Sequence, residues 1–196
     1  MTNPPDRSQL RIPLPQRAEL ADEVAGLLDL TAPAGGRPPA TIAVLTHQPG
    51  LLGPFLGWAA ALALSGVLSK RDHELVALRA AWNCRSAFEW GEHVGYARSA
   101  GLTDDEIDRV ALGEDAPGWT ESEAVLLRAV DELHTSSTIA DGTWAALADR
   151  YDPAALVEIL FVAGQYTMLS MVANAIGAGP EPGWRPMPPS GRPGTQ

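Results

Sequence analysis

The side chains best placed for chemistry in this sequence are Ser86, Glu89 and His93. They follow one another at steps of three and four residues, so on a helix all three project from the same face. A carboxylate one turn before an imidazole can orient the ring through a hydrogen bond and set its pKa. The spacing therefore predicts a general acid/base unit, with His93 moving protons and Glu89 orienting it. The roles are reversed if burial raises the pKa of Glu89.

The same spacing also fits a structural ion pair on the protein surface, which would contribute only ~0.3–0.5 kcal/mol to the stability of the fold. Arg85, four residues before Glu89, offers that carboxylate another ionic partner. A second acid, Glu74, lies near the start of the preceding predicted helix, where the helix dipole favours an acid for structural reasons alone. A catalytic role for Glu74 requires its helix to pack against the helix of His93.

Four positions are predicted to contact a substrate: Ser86, Trp90, Gln165 and Tyr166. Ser86 has the type of residue that simply begins a helix, but its hydroxyl could also donate to a substrate carboxylate or carbonyl. The bulk of Trp90 could exclude water from the acid/base pair and strengthen its electrostatics. Gln165 and Tyr166 interrupt an otherwise apolar helix, and polar groups buried there need partners, of which a substrate could be one.

Composition excludes several other classes of protein. The 196 residues include 24 acidic and 14 basic side chains, for a formal charge of −10. Such a surface repels phosphate, so we expect no nucleic-acid partner and no anionic membrane partner. The longest apolar stretch, taken as 51–64, is too short and too interrupted by Gly and Pro to span a bilayer.

The remaining sequence features predict a cytoplasmic protein without a metal. The single cysteine, Cys84, cannot form an intramolecular disulfide, and it is interpreted as a small core residue. The N-terminal residues lack the order of a signal peptide. Neither His-Glu-x-x-His nor a repeated Glu-x-x-His occurs, so no metal site is expected. His134, near a predicted helix end, is interpreted as structural.

The chain segments that carry these side chains are all predicted to be helices. Helical periodicity, capping boxes and Gly/Pro breaks indicate helices at 17–30, 41–47, 51–64, 69–82, 85–100, 103–112, 120–133, 141–151 and 152–176. The segment 51–64 is apolar on most sides, as a buried helix would be. Whether the chain bends near Asn83 is left open. We predict an N-terminal helix and linker over 1–40, a helical domain over 41–177, and an extended Pro/Gly-rich tail over 178–196.

The segment 68–101 resembles the carboxymuconolactone decarboxylase family, which includes the alkyl hydroperoxidase D proteins. The similarity is carried by Leu-Ser-Lys-Arg-Asp-His-Glu-Leu-Val-Ala-Leu-Arg-Ala-Ala-Trp, then Phe-Glu-Trp-Gly-Glu-His and Ala-Arg-Ser-Ala-Gly-Leu-Thr. Asp-Glu-Leu-His at 131–134 and Val-Ala-Gly-Gln-Tyr at 162–166 extend it. The resemblance implies an all-α bundle of the alkyl hydroperoxidase D type. It also implies a homo-oligomer, a trimer or hexamer with a dimer as the alternative, and pockets near subunit contacts.

In the hydroperoxidase branch of this family a glutamate base, two cysteines and a histidine form a relay. Carried over by position, these fall on Glu74, Ser86, Glu89 and His93, so both redox cysteines are replaced. Serine and glutamate cannot form a sulfenic acid or a disulfide. The resemblance therefore implies the decarboxylase-like branch, a cofactor-free enzyme acting by proton transfer on a small organic acid, a carboxylated lactone or a related metabolite. Decarboxylation, isomerisation and cyclisation all stay open as its reaction. Hydroperoxide reduction and a non-catalytic binding or assembly role are the alternatives.

Overall fold

A computed structural model describes residues 10–32 and 36–189. Within these ranges the regular structure is entirely helical, which confirms the all-α prediction. Nine α-helices are described: α1 Asp22–Asp29, α2 Ala40–Ala43, α3 Pro49–Ser65, α4 Lys70–Asn83, α5 Ala87–Ser99, α6 Asp104–Leu112, α7 Glu121–Ser136, α8 Asp141–Ala148 and α9 Pro153–Ile176. Short 3-10 turns stand at Arg17–Glu19 and Val44–His47.

Local capping bonds fix where the main helices begin. The Ser69 side chain accepts from the backbone N–H of Asp72 at the start of α4, and Thr103 and Thr120 form capping boxes that begin α6 and α7. Asp152 caps α9, whose first residue is a proline. Each of these side chains satisfies N–H groups that a helix leaves without partners, which confirms these predicted starts.

The chain breaks between α4 and α5 at Arg85, which has a left-handed backbone with φ of 54°. Its guanidinium lies over the ring of Trp82, 4.9 Å from the centroid. Ser86 then begins α5 as its N-cap. This break, which the sequence left open, allows α4 and α5 to pack side by side.

The centre of the fold is α4, which packs against α5, α6, α7 and α9. Every residue of α4 from His73 to Ala81 is buried. Even Arg79 is enclosed: its guanidinium binds both carboxylate oxygens of Asp131, at 2.6 and 2.7 Å, and donates to the carbonyl of Val110. The polar groups of this helix therefore have fixed partners on the neighbouring helices.

The prediction that segment 51–64 is a buried helix is wrong. The segment does form a helix, α3, but its one buried residue is Leu52, while Leu64 is 79% exposed and Trp58 is 41% exposed. A helix that is apolar all round has no polar face to indicate which side meets solvent, so periodicity could not place it. The first predicted helix, 17–30, also splits into a 3-10 turn and α1.

The apolar stretch most compatible with a membrane span is α9 rather than 51–64. Among the described helices, α9 alone is long and apolar enough by length and composition, and half of its most apolar window is buried within the fold. It also buries the polar side chains of Glu158 and Gln165. This packing is that of a core helix.

The described part of the Pro/Gly-rich tail packs on its own chain. The ring of Trp184 meets Phe88 edge to face at 5.3 Å and lies against Gly91 of α5. Arg185 pairs with Asp104 and Asp108 of α6. The tail beyond residue 189 and the first nine residues lie outside the described ranges, and the three-part division of the chain stays a prediction.

Candidate active site

A cavity of about 450 Å³ lies between α3, α4, α5 and α9, with α2 at one side. Its walls are mostly apolar, and α3 contributes more of the apolar side chains than any other helix. Five of the seven predicted site residues line this cavity: Glu74, Glu89, His93, Gln165 and Tyr166. The cavity has the size usual for small-molecule sites.

The histidine is held by the glutamate of the other helix. His93 Nδ1 and Glu74 Oε2 are 2.7 Å apart and both side chains are buried. The expectation that Glu89 orients the ring is therefore wrong, since Glu89 Oε2 lies 4.0 Å from Nε2 on the other side. Burial alone would lower the pKa of His93, but the charge and hydrogen bond of Glu74, with smaller contributions from Glu89 and Glu92, raise that pKa to about 9.

Glu89 is a buried carboxyl group without a hydrogen-bond partner among the described residues. It is 1% exposed, and neither of its carboxyl oxygens accepts or donates a hydrogen bond. Burial, together with the charge of Glu92, raises its pKa to about 8, and the nearby His93 lowers it by less. This raised pKa favours the protonated form of Glu89 at neutral pH, and the side chain lines the cavity.

Tyr166 and Gln165 complete the α9 side of the site. The rings of Tyr166 and His93 are in edge-to-face contact at 4.2 Å, and the Tyr166 hydroxyl lies 3.0 Å from Nε2 of His73. Burial and the nearby glutamates raise the pKa of Tyr166, so it stays a phenol at neutral pH. Gln165 accepts a hydrogen bond from Trp58 Nε1 at 3.0 Å, so this buried polar side chain of α9 has a partner on α3.

The cavity lining also includes His73, Glu92 and Tyr96, which were not predicted as site residues. Glu92 follows Glu89 by three residues and Tyr96 follows His93 by three, so helical spacing could have found both. Burial raises the pKa of Glu92 and lowers that of His73. No spacing rule links His73 to Tyr166, because they meet only through packing of α4 on α9.

Two predicted substrate contacts do not reach the cavity. Ser86 is fully buried, and its hydroxyl accepts from the backbone N–H of Glu89 at 3.3 Å, which caps α5. Trp90 is buried against Trp82, with ring centroids 5.9 Å apart. Position 90 is rotated by 100° from Glu89, which turns its side chain into the core rather than the cavity.

Cys84 also lies outside the cavity lining. Its Sγ is 3.9 Å from Nδ1 of His134, and burial raises the pKa of the thiol. Over the ranges 10–32 and 36–189, no group of three or more His, Cys, Asp or Glu side chains is arranged to hold a metal ion. The expectations about metals and cofactors stay predictions.

The arrangement can hold, donate and accept a proton next to a bound molecule. A cationic imidazole and a protonated carboxyl group face the same mostly apolar cavity, and Glu74 fixes the ring. Charges act strongly in such surroundings because little water screens them. The geometry is compatible with acid/base chemistry in a helical bundle.

Solved structures with the same fold are AhpD-like proteins. A peroxidase-related protein from Silicibacter sp. TM1040 matches with a TM-score of 0.76 and 18% identity, over 95% of this chain and 95% of that one. An alkylhydroperoxidase AhpD core protein from Ralstonia eutropha JMP134 matches with a TM-score of 0.75 and 21% identity, over 88% and 92%. The debrominase Bmp8 matches with a TM-score of 0.72 and 15% identity, over 88% and 92%.

The sequence itself points to one family within this fold. Residues 50–132 match the model of the carboxymuconolactone decarboxylase family, which confirms the resemblance identified from the sequence. No curated protein sequence matches the chain. The family match covers α3 to most of α7, and so includes Glu74, Glu89 and His93 but not the α9 side of the cavity.

Proposed function

We propose that this protein is a cofactor-free enzyme that transfers a proton to or from a small organic molecule bound in the cavity. The observation that carries the proposal is that a buried carboxyl group and a buried imidazole, Glu89 and His93, face the same ligand-sized space. Membership of enzymes such as carboxymuconolactone decarboxylase in the matched family supports a catalytic role.

The roles follow from the contacts of each group. Glu74 is a positioning residue, because its bond to Nδ1 leaves Nε2 of His93 as the atom that exchanges a proton with a ligand. The raised pKa of His93 makes it an acid at neutral pH. Glu89, on the Nε2 side of the ring, is a second acid or, once deprotonated, a base.

Decarboxylation, isomerisation and cyclisation can all use these groups. In a decarboxylation, the bond to the carboxylate carbon breaks, CO2 leaves, and the electron pair stays on the substrate as an enolate. The cation of His93 would stabilise that enolate and then deliver the Nε2 proton to carbon. In an isomerisation, a base removes a proton from one carbon and an acid returns one to another. The family resemblance implies a small carboxylated lactone or related metabolite as substrate, contacted by Gln165 and Tyr166.

Hydroperoxide reduction is a less suitable alternative. The neighbours include peroxidase-related proteins, but their likeness in sequence is low and concerns the fold. At the two positions of the redox cysteines this chain has Ser86, which caps a helix, and Glu89, which cannot be oxidised to a disulfide. Cys84 lies outside the cavity lining, so it has no direct access to a molecule bound there.

We also propose that further copies of this chain cover the apolar surface formed by α3 and the outer side of α9. On this surface Trp58 and Phe161 pack edge to face at 5.3 Å, and both stay substantially exposed. Val157 and Met168, four residues before and seven residues after Phe161, are exposed on the same face of α9. An apolar area of this kind is typical of a subunit interface, as expected for a homo-oligomer.

Hydrogen exchange at carbon tests the catalytic proposal without a known substrate. Small ketones, lactones and carboxylated lactones are incubated with the protein in D2O, and proton NMR follows loss of the signals next to each carbonyl and any loss of CO2. We expect at least one compound to exchange or decarboxylate in a protein-dependent way. His93→Gln and Glu89→Gln should each abolish this reaction.

His134→Gln is the matched control, because His134 lies outside the cavity lining and should leave the rate unchanged. Undiminished rates in both cavity variants, or no reaction with any compound, would contradict the proposed function. The second outcome would favour the non-catalytic binding role.

A further inference from the structure

The unpartnered carboxyl group of Glu89 identifies the kind of atom that a ligand must offer. Both oxygens are enclosed, and no described side chain or backbone group hydrogen-bonds to them. A buried polar group left in this state costs about 1–3 kcal/mol. Since the Glu89 side chain lines the cavity, a rotation of its carboxyl group can bring one oxygen to a bound molecule that supplies the missing partner.

The charges around Glu89 disfavour an anionic ligand. Glu74, Glu89 and Glu92 all line the same cavity, and the cation of His93 is already bonded to Glu74. Within the described lining, the other cationic side chain is Lys70, which is exposed and donates to the carbonyl of Ala63. A carboxylate placed next to Glu89 would therefore lose its hydration without meeting a cation that is not already paired.

The groups on the facing helices do not change this balance. From α4, burial lowers the pKa of His73, which keeps its ring neutral at pH 7. From α9, Tyr166 is a neutral phenol and Gln165 is uncharged. The rest of the described lining is uncharged: it is mostly apolar, as at Phe55, Leu62 and Leu169, and its polar side chains are those of Thr41, Tyr96 and Ser99.

We propose that Glu89 binds its ligand as a neutral carboxylic acid that donates a hydrogen bond, and that the cavity selects an uncharged, mostly apolar molecule with a carbonyl-type acceptor over carboxylates. This inference rests on the proposed proton-transfer function, and it replaces the carboxylated lactone that the family resemblance implies with an uncharged related metabolite. A reaction at an uncharged carbonyl, such as isomerisation or cyclisation through an enol, fits the cavity better than loss of CO2 from a free carboxylate beside Glu89.

Three probes of nearly equal size and shape test the selection by charge. Binding of benzamide, benzoate and benzamidinium is measured by calorimetry near pH 7. We expect benzamide to bind at least ~10-fold more tightly than benzoate, because burying a carboxylate without an unpaired cation costs free energy. A tenfold factor corresponds to about 1.4 kcal/mol. Equal or tighter binding of benzoate, tighter binding of benzamidinium, or no binding of benzamide would each overturn the proposal.

Two variants test the donor itself. Glu89→Gln keeps an N–H donor of similar shape and should retain benzamide binding, whereas Glu89→Leu should weaken it by about tenfold. Wild-type affinity for benzamide should fall between pH 7 and pH 9 as Glu89 loses its proton, and this fall should be smaller in Glu89→Gln. His93, Glu92, Glu74, His73, Tyr166 and Lys70 are unchanged in that comparison, so their titration is common to both proteins.

The pH comparison keeps the proposal testable if Glu89→Leu does not fold. An equal fall of affinity in the wild type and in Glu89→Gln would overturn it. Failure of the proposed function gives a different result: benzamide would bind with the expected charge and pH dependence while no compound exchanged hydrogen in D2O.

Discussion

Nδ1 of His93 lies 2.7 Å from Oε2 of Glu74, although 19 residues separate them in the chain. The contact exists because the left-handed turn at Arg85 ends α4 and lets α5 return along it. The imidazole is thereby fixed in orientation, and its pKa is raised to about 9 in spite of burial.

Removing the charge of Glu74 should lower the pKa of His93. In Glu74→Gln we expect the pKa of His93 to drop from about 9 toward or below its ordinary 6.5, because burial then outweighs the remaining attraction. NMR titration of the His93 ring protons measures this pKa. Glu92→Gln is the control and should produce a smaller drop, since Glu92 contributes less. An unchanged pKa in Glu74→Gln would show that the ion pair does not control the ring.

Stability should fall as the pH rises from about 6 to 9. Both Glu89 and His93 have pKa values raised by folding, to about 8 and about 9, so the folded state binds more protons than the unfolded state in this range. Stability linked to such groups is present at low pH and is lost as the pH passes through the folded-state pKa. At ~1.4 kcal/mol per unit of pKa difference, the loss is on the order of a few kcal/mol.

Urea unfolding at pH 6 and pH 9 measures that loss. Glu89→Gln removes one of the two titrating groups, so its stability should depend less steeply on pH. A slope identical to that of the wild type would mean that Glu89 titrates at its ordinary pKa of 4.5 in the folded protein.

Glu158 should be among the important structural side chains of α9. Its carboxylate accepts from the backbone N–H groups of Val67 and Leu68, at 2.5 and 3.2 Å, in the loop that leads into α4. Glu158→Ala leaves these N–H groups without a partner, so we expect a loss of about 2–4 kcal/mol in the free energy of unfolding.

Chemical denaturation measures this loss, and Glu158→Gln, which keeps one acceptor oxygen, should lose less. Glu121→Ala is the control: that side chain is 82% exposed and pairs with Arg150 on the surface, so less than ~1 kcal/mol should be lost. Equal losses in the Glu158→Ala and Glu121→Ala variants would contradict the assigned role.

A single methyl group at position 91 should displace the tail. A Cβ on Gly91 would lie 2.7 Å from Cε3 of Trp184, which is too close for the ring to stay in place. We expect Gly91→Ala to cost about 1–3 kcal/mol and to expose the tail to protease. Gly95→Ala, on the same helix with nothing within 4 Å, should instead be neutral or stabilise by up to ~1 kcal/mol. Limited proteolysis of the tail and urea unfolding are measured for the Gly91→Ala and Gly95→Ala variants. A tail that resists protease equally in both variants would contradict the packing of Trp184 on Gly91.

A charge on the α3–α9 surface should break the proposed oligomer. Phe161, which is 51% exposed beside Trp58, is changed to aspartate, and light scattering measures the mass in solution. We expect a multiple of 20.7 kDa for the wild type and a smaller multiple for Phe161→Asp. Leu112→Asp is the control, because this exposed residue lies on α6, away from that surface. A monomeric wild type would contradict the assembly.

Much of this fold could be predicted from sequence because the deciding contacts are local. The caps at Ser69, Thr103 and Asp152 each bond to a backbone group three residues away, so the sequence itself contains both partners. The spacing of Glu89 and His93 likewise needed only the helical period. The family resemblance added Glu74, and the family match and the fold of the solved neighbours confirmed that resemblance.

The sequence was sufficient to predict most of the helices, the capped starts of α4, α6, α7 and α9, and the face that carries Glu89 and His93. Three features required the packed structure: Glu74 rather than Glu89 binds the imidazole, Ser86 caps a helix, and α3 lies at the surface. The difference lies in the sequence separation of the interacting residues. A helix is set by hydrogen bonds between residues three and four apart, whereas the partner of a buried side chain depends on which helices pack together. That packing joins segments far apart in the chain, and no local pattern in this sequence specifies it.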